Sequence, residues 1–409
     1  MYLLVLGFLA FLFSTHAQHN KLSLIKPIQR SSITPWHTNK MPISPPPPLT
    51  NKQMGTINTL GIPPLGYTQE ADGTKVFTLI AQPITQMIID KKTAEPLVLP
   101  HLKIHPQQGH KHATSKKLKT WGYNGTTPGP TIEVTEGDRV KIIVKNELPE
   151  PTTVHWHSLE IPYAQDGSSD PIKPGDTKTY SFTVNQNGTF LYHSGYNVGK
   201  QLSSGLVGFF VAHPKKTDIK PNHDIAIMMQ EWALLPENSY PNLTSMDFNW
   251  FTFNGHAAPS VPVVNIKQGD RVRIRFSNMS MNSHPIHIHG YVWNVIGTEG
   301  GPIPKSAQVK GSTINVPTGT TRDVEFIAWN PGPWPLHCHK PHHVMNAHAQ
   351  VPLGIMPHGG MFTILNVVPH NKDVSWKHYK ESSPKNNQIN ALGYKKKLPH
   401  KNQSQEQSS

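Results

Sequence analysis

Three histidine pairs and one cysteine carry the chemistry that can be read from this chain. His155 and His157 flank Trp156, His287 and His289 flank Ile288, and His337 and His339 flank Cys338, the 1 cysteine in 409 residues. On an extended strand, residues two apart project to the same face, so each pair can present two imidazoles to one cavity. Cys338 then points away from its flanking histidines. That spacing suits two metal sites on opposite sides of one strand, with a short covalent route from the sulfur to either imidazole. A thiolate and two imidazoles in a trigonal set, completed by a weak axial group, is the ligand arrangement of blue copper. Cys338 and His343 supply two such ligands, and His284, just before the His-Ile-His motif, is the natural third.

Zinc is the chemical rival, because it also takes imidazole and thiolate. A structural zinc site uses four ligands, fewer than the evenly spaced candidates here, which also include His193. A cysteine nucleophile is the other rival. On a strand, His337 and His339 project away from the sulfur, and no partner pattern supports acyl transfer.

The elements that must hold these residues are announced by an internal repeat. Glu136-Gly137-Asp138-Arg139-Val140 is echoed by Gln268-Gly269-Asp270-Arg271-Val272, and the strands KIIVKN and RIRFSN follow. One offset of 132 residues relates Gly137 to Gly269, His155 to His287 and His157 to His289. Further on, Pro174-Gly175-Asp176-Thr177 with YSFTV corresponds to Thr318-Gly319-Thr320-Thr321 with DVEFI. These lead to Tyr192-His193-Ser194-Gly195 and Leu336-His337-Cys338-His339, at an offset of 144. Each copy consists of short strands of alternating polarity broken by Gly, Pro and Asn, which predicts an all-β chain with one sandwich per copy. The expected spans are 116–215 and 245–370, joined by a linker at 216–244.

The flanks read differently. Residues 1–17 have an apolar run from Tyr2 to Phe13, too short to span a bilayer easily, followed by the small residues Thr15 and Ala17. This predicts a signal peptide, export to the periplasm or the medium, and no stable membrane span after its removal. Residues 18–115 form an expected Pro/His/Lys-rich arm. It includes the polyproline stretch Pro45 to Pro48 and an alternating segment, Phe77 to Ile89, suited to one or two strands. Residues 371–409 read as a basic disordered tail. The net charge of +13 has much of its excess in Lys111 to Lys119 and in Lys395, Lys396 and Lys397. No basic motif alternates with stacking aromatics, so a solvated surface, not a nucleic-acid partner, is expected. A single cysteine excludes an intrachain disulfide.

The ordered strings TPGPTIEVTEGDRV, HWH, YHS, HPIHIHG and HCHKPHH resemble those of multicopper oxidases, especially bacterial copper-resistance and laccase-like oxidases. The resemblance covers residues from about 116 to 367 and implies two cupredoxin-like Greek-key sandwiches of the two-domain type. It implies a type 1 copper on His284, Cys338 and His343, and a type 2 copper on His155 and His287. A type 3 pair would lie on His157, His193, His289, His337 and His339. Asp166 falls where the family places an acidic proton relay; its plainer reading is a turn aspartate before Gly167. The implied reaction is one-electron oxidation of a phenol, Fe(II), Cu(I) or Mn(II), coupled to reduction of dioxygen to water. The implied assembly is a homotrimer with clusters between subunits.

Two positions depart from the family pattern. Gly195 stands where a type 3 histidine is expected; His110 or His112 of the arm could substitute, or the pair could be incomplete. The usual axial methionine spacing lands on Ala347 or His348, while Met345 lies closer to His343. A metal-ion donor would call for carboxylates beside His284 or His343, for which Asp323, Glu325 and Glu299 are candidates. Two alternative functions remain: a copper-sequestering protein with a degenerate cluster, and a two-domain copper nitrite reductase. The latter carries its blue copper in the first domain and lacks the His-Cys-His bridge.

Overall fold

The computed structural model describes residues 53–90, 115–216, 220–233, 246, 248–346, 352–353, 356–357 and 359–369. The expected signal segment, most of the arm including His110 and His112, and the tail lie outside these. Among the described residues no helix is long and apolar enough to cross a membrane.

The alternation seen in the sequence becomes inward and outward faces. In Arg139–Asn146, Val140, Ile142 and Val144 are buried, while Arg139 and Lys145 are exposed. The Gly-Asp step before this strand is a tight turn: Gly137 has φ +90°, and the Asp138 carboxylate accepts the Thr135 N–H at 2.6 Å. Gly269 at φ +94° and Asp270, accepting from Lys267 N–H at 3.1 Å, repeat it. Only a residue without Cβ adopts this conformation cheaply.

Each copy closes into two sheets of matching topology. In the first, Lys75–Ile89 runs parallel to Arg139–Asn146, which pairs antiparallel with Thr177–Thr183. The facing sheet orders Gly129–Thr135, Val207–His213, Gly188–His193 and His155–His157. In the second copy, His223–Trp232 runs parallel to Arg271–Asn278, which pairs antiparallel with Thr320–Ile327. Its facing sheet orders Val264–Lys267, Phe362–Val368, Gly332–Cys338, His284–Ile288 and Thr313–Val316. The register preserves the repeat: His155 lies opposite His193, and His287 opposite His337.

Two expected boundaries move. Lys75–Ile89 belongs to the first sandwich, so that domain begins well before residue 116. His223–Trp232 lies inside the expected linker yet is a strand of the second sandwich. It escapes a period-two reading because it is buried on both faces. Ile225, Ile227 and Met229 enter the second core, while Ala226 and Met228 pack against Leu191, Phe209 and Val211 of the first sandwich.

That junction also contains a buried ion network. Arg275 forks onto Asp224 at 2.7 and 2.8 Å and donates to Thr189 Oγ1 at 2.7 Å. Thr189, from the first sandwich, donates to Asp323 at 2.7 Å, and its carbonyl accepts from the Thr321 hydroxyl at 2.9 Å. Removing one partner of such a buried set typically costs about 3–5 kcal/mol, so the two sandwiches are held in one relative position.

Candidate metal centre

The strand His284–Ile288 turns His284, Ile286 and Ile288 inward, and His287 and His289 to the other face. The neighbouring strand Gly332–Cys338 brings Cys338 beside His284, and the short helix Pro341–Met345 adds His343. All three are buried, and their ligand atoms lie within 4.8 Å of one another. The Cys338 Sγ is 3.5 Å from His343 Nδ1 and 3.8 Å from His284 Nδ1, and the two Nδ1 atoms are 3.0 Å apart. Phe251 stacks on the His343 ring with centroids 4.0 Å apart. Burial, then neighbouring cations, pushes His284 down to about 3; burial and His284 push His343 down to about 2. Burial raises the Cys338 thiol to about 11. Two neutral imidazoles therefore face a thiol whose proton a metal ion would displace.

On the opposite side of the same strands lies a second set, His287, His289, His337 and His339. Their rings pack with centroids 4.9–5.7 Å apart, and the Nε2 atoms of His289 and His337 are 3.0 Å apart. His289 and His339 are exposed. Backbone acceptors orient the rings: His287 Nδ1 meets Ser312 O at 2.9 Å, and His337 Nδ1 meets Cys338 O at 2.8 Å. Each contact leaves Nε2 available for a ligand.

The first sandwich repeats this plan with His155, His157 and His193, whose ligand atoms also lie within 4.8 Å of one another. His193 Nδ1 meets Ser194 O at 2.9 Å, as His337 meets Cys338 O. His157 Nε2 reaches across the domain junction to Gly319 O at 2.9 Å, leaving Nδ1 3.2 Å from His193 Nε2. Burial lowers His193 to about 4 and His337 to about 4, keeping both imidazoles neutral near pH 7. Asp166 approaches His155: its Oδ1 lies 3.2 Å from His155 Nδ1, and its carbonyl 3.1 Å. Gly167 permits this approach, because a Cβ there would sit 1.8 Å from Val154 O.

Gly195 is closely surrounded: a Cβ there would lie 2.8 Å from Thr153 Oγ1 and 3.0 Å from Gly167 O, so a side chain would need the Thr153 hydroxyl to shift. Among the described residues, no ring contact or hydrogen bond joins the three histidines of the first sandwich to the four of the second.

The groups packed around Cys338 differ from the sequence candidates for its surroundings. Met345 is 40% exposed, unlike the buried trio; Ala347 and His348 lie outside the described residues. Met361 is fully buried in the same core as Cys338. Its N–H donates to His343 O at 2.9 Å and its carbonyl accepts from Cys338 N–H at 3.1 Å. Gly360 lets this segment pass, since a Cβ there would meet His343 O at 2.1 Å. The Gly359-Gly360 step before an apolar strand was the available signal, obscured by the intervening residues that lengthen the usual spacing. Asp323, Glu325 and Glu299 are held by Arg275, by Arg271 and Arg273, and by Arg322. The carboxylate beside the trio is instead Glu231, with Oε1 3.6 Å from His284 Nε2.

Comparison with known proteins agrees with this arrangement. Family models described as multicopper oxidase match residues 106–217 and 235–351, together more than half of the chain. The chain belongs to the multicopper oxidase family. It is 32% identical over 220 residues to multicopper oxidase mco of Staphylococcus aureus, covering 50% of this chain and 48% of that protein. Over 136 residues it is 32% identical to copper resistance protein A of Escherichia coli, covering 32% of this chain and 22% of that one. The chain thus spans about half, or less, of the curated relatives it matches. The blue copper oxidase structure from Nitrosomonas europaea is 26% identical, with TM-score 0.55, covering 76% of this chain and 94% of that one. A copper nitrite reductase of the same organism, 22% identical with TM-score 0.56, covers 72% and 93% and shows the shared fold alone. Family membership and the solved structures agree on a cupredoxin-like architecture. The buried thiol and imidazoles, with Nδ1 atoms converging on Cys338, fit copper by donor chemistry and by spacing.

Proposed function

We propose that this multicopper oxidase takes single electrons from a small outer-sphere donor at the His284–Cys338–His343 set and passes them to dioxygen, with water as product. One observation carries the reading: Cys338 enters one buried trio while its neighbours His337 and His339 stand in a different imidazole cluster. Copper, when bound, supplies one-electron exchange at the thiolate set and multi-electron oxygen chemistry at the histidine set. Four donors each give up one electron, and dioxygen takes those electrons with four protons to form two waters.

The chain's own residues divide this work. The backbone from Cys338 to either adjacent histidine is the short route between the two sites. Buried His284 and His343 exclude water from the thiol, and Met361, buried in the same core, would be the thioether available to a metal held there. Asp166, beside His155, is placed to hold a proton close to the histidine cluster. His155 and His287 are proposed for the type 2 copper, with His157, His193, His289, His337 and His339 for the type 3 pair. Two half-clusters, each partly open on the surface of one chain, favour a homotrimer in which each cluster joins facing halves of neighbouring subunits. Phenols, Fe(II), Cu(I) and Mn(II) are the donor classes considered.

A second reading, a copper-sequestering protein with a degenerate cluster, is favoured by Gly195 standing where a type 3 histidine is expected. Copper analysis with a visible spectrum tests the site: an intense thiolate-to-copper band and copper beyond one ion per chain are expected. Steady oxygen uptake with a phenol or Fe(II) supports the oxidase. Stoichiometric copper without oxygen uptake favours the store, and turnover of nitrite would favour a reductase. Light scattering tests the trimer; a monomer at working concentration would overturn it.

A further inference from the structure

The two sandwiches provide an internal control for what surrounds His284. In both copies one asparagine organises the turn after the central strand. Asn146 Oδ1 accepts from Leu148 N–H at 2.9 Å, and its amide donates to Glu150 O and Ile172 O at 2.9 and 2.8 Å. Asn278 does the same: Oδ1 accepts from Ser280 N–H at 2.9 Å, and the amide donates to Asn282 O and Val316 O at 2.7 and 2.9 Å. The asparagine turn is therefore common architecture. What differs is the residue it presents, apolar Leu148 in the first sandwich and Ser280 in the second.

That difference sits against the ligand. Ser280 Oγ is 2.8 Å from His284 Nε2. Its hydroxyl donates to Asn278 Oδ1 at 2.6 Å, with Asn282 O at 3.5 Å the weaker acceptor. Both acceptors draw its proton away from the imidazole, so the Ser280 lone pairs are free to receive Nε2–H. The ring is then held as the tautomer whose Nδ1 lone pair faces Cys338 and His343.

Glu231 is specific to the same copy. Ala81 pairs with Asn146 and Met229 with Asn278, so the residue two further along is Pro83 in one sandwich and Glu231 in the other. The Glu231 side chain is buried, and its Oε2 accepts from Met281 N–H at 3.1 Å and Asn282 N–H at 3.2 Å. Its Oε1 has no hydrogen-bond partner and is turned toward His284 Nε2.

We propose that Ser280 and Glu231 are positioning residues of the blue copper site. Ser280 receives the Nε2–H of His284 and fixes its tautomer. Glu231 holds the loop carrying Ser280 and places a carboxylate on the same side of the ring. Such outer contacts orient a metal-bound histidine and raise its basicity. The inference rests on the blue-copper reading, so Cu(II)-loaded wild type is measured first; copper uptake without the thiolate band would overturn that reading and this one with it.

With a blue wild type, Ser280→Ala is expected to weaken Cu(II) binding at this site about 10- to 100-fold in chelator competition. The reduction potential should rise and the charge-transfer band shift, while copper at the histidine cluster is retained. Ser280→Thr, which keeps the hydroxyl, should restore affinity and potential. Unchanged affinity and potential in Ser280→Ala would overturn the role of Ser280. Glu231→Gln keeps the side-chain shape and an oxygen for the loop amides, and it tests the proposal even if Ser280→Ala fails to fold. A raised potential is expected from the lost charge; an unaltered potential overturns the role of Glu231.

Discussion

The two sandwiches share register, turns and asparagine supports, yet they fill one equivalent buried position in opposite ways. In the second, His284, Cys338 and His343 converge with their donor atoms 3.0–3.8 Å apart. In the first, Thr152 stands where His284 stands, three residues before the histidine pair, and Ser194 stands where Cys338 does. Gln201, from the short helix Val198–Gln201, takes the third place. Its Oε1 accepts from the Ser194 hydroxyl at 2.5 Å and from Thr152 at 2.7 Å, and its amide donates to Glu150 Oε1 and Pro151 O at 2.9 and 2.8 Å. One trio satisfies its own polar atoms and closes. The other leaves His343 Nε2 buried without a partner and its Nδ1 atoms pointed at a thiol. The same fold position thus holds a hydrogen-bonded plug in one sandwich and the proposed metal cage in the other, depending on whether its side chains complete one another.

The most severe test of this contrast is Cys338→Ser, which gives the second trio the hydroxyl of the first. Loss of the thiolate band and of donor-dependent oxygen uptake is expected, with the fold retained by circular dichroism; a variant that still oxidises its donor would break the assignment. Next in size is Asp323→Asn at the junction. It removes a charge facing buried Arg275 and should cost about 3–5 kcal/mol in urea unfolding, while leaving the Cys338 trio intact in a chain that remains folded.

Gln201→Ala should be milder. It removes the nearest acceptor of the Thr152 and Ser194 hydroxyls and leaves them the longer contacts to Thr153 O at 3.3 Å and Tyr196 O at 3.0 Å. The loss is about 1–3 kcal/mol, with the visible band unchanged because the plug binds no metal. Gly195→His should cost a similar amount, about 1–3 kcal/mol from crowding the Thr153 hydroxyl and the Gly167 carbonyl, and is expected not to raise the copper count. A gain of copper in that variant would contradict the geometry.

The gentlest difference is in pH dependence. In the metal-free protein, folding holds His284 and His343 well below the ordinary imidazole value of 6.5. The unfolded chain therefore binds more protons below that pH, and stability should fall as pH drops from 6.5 toward about 3. The equivalent Thr152, Ser194 and Gln201 have nothing to titrate in that range. Thermal unfolding of the copper-free protein across this window, compared with His343→Gln, should show a flatter profile in the variant.

Much of the site was legible because strand geometry converts spacing into facing. His155 with His157, His287 with His289, and Cys338 turned away from His337 and His339 all follow from the two-residue period. The repeat also aligns Gly195 with His339 through the offset of 144 residues. What escaped were groups whose spacing carries no period: Met361 beyond a long insertion, Glu231 in a strand with no exposed face, and Ser280 in a turn. The strand expected within Phe77 to Ile89 forms as Lys75–Ile89 but belongs to the first sandwich, its polar flank notwithstanding, and His223–Trp232, with both faces covered, reads as linker in the sequence.

Sequence alone thus determined the residue types, their register and the duplication, since these depend on backbone periodicity and on donor chemistry. Tertiary structure decided what fills the equivalent buried position of the first half, where Thr152 and, distant from it along the chain, Ser194 and Gln201 hydrogen-bond to one another. It also decided how the halves meet, through a strand buried on both sides and an arginine between two aspartates. Such contacts join residues far apart along the chain, and no local pattern records them.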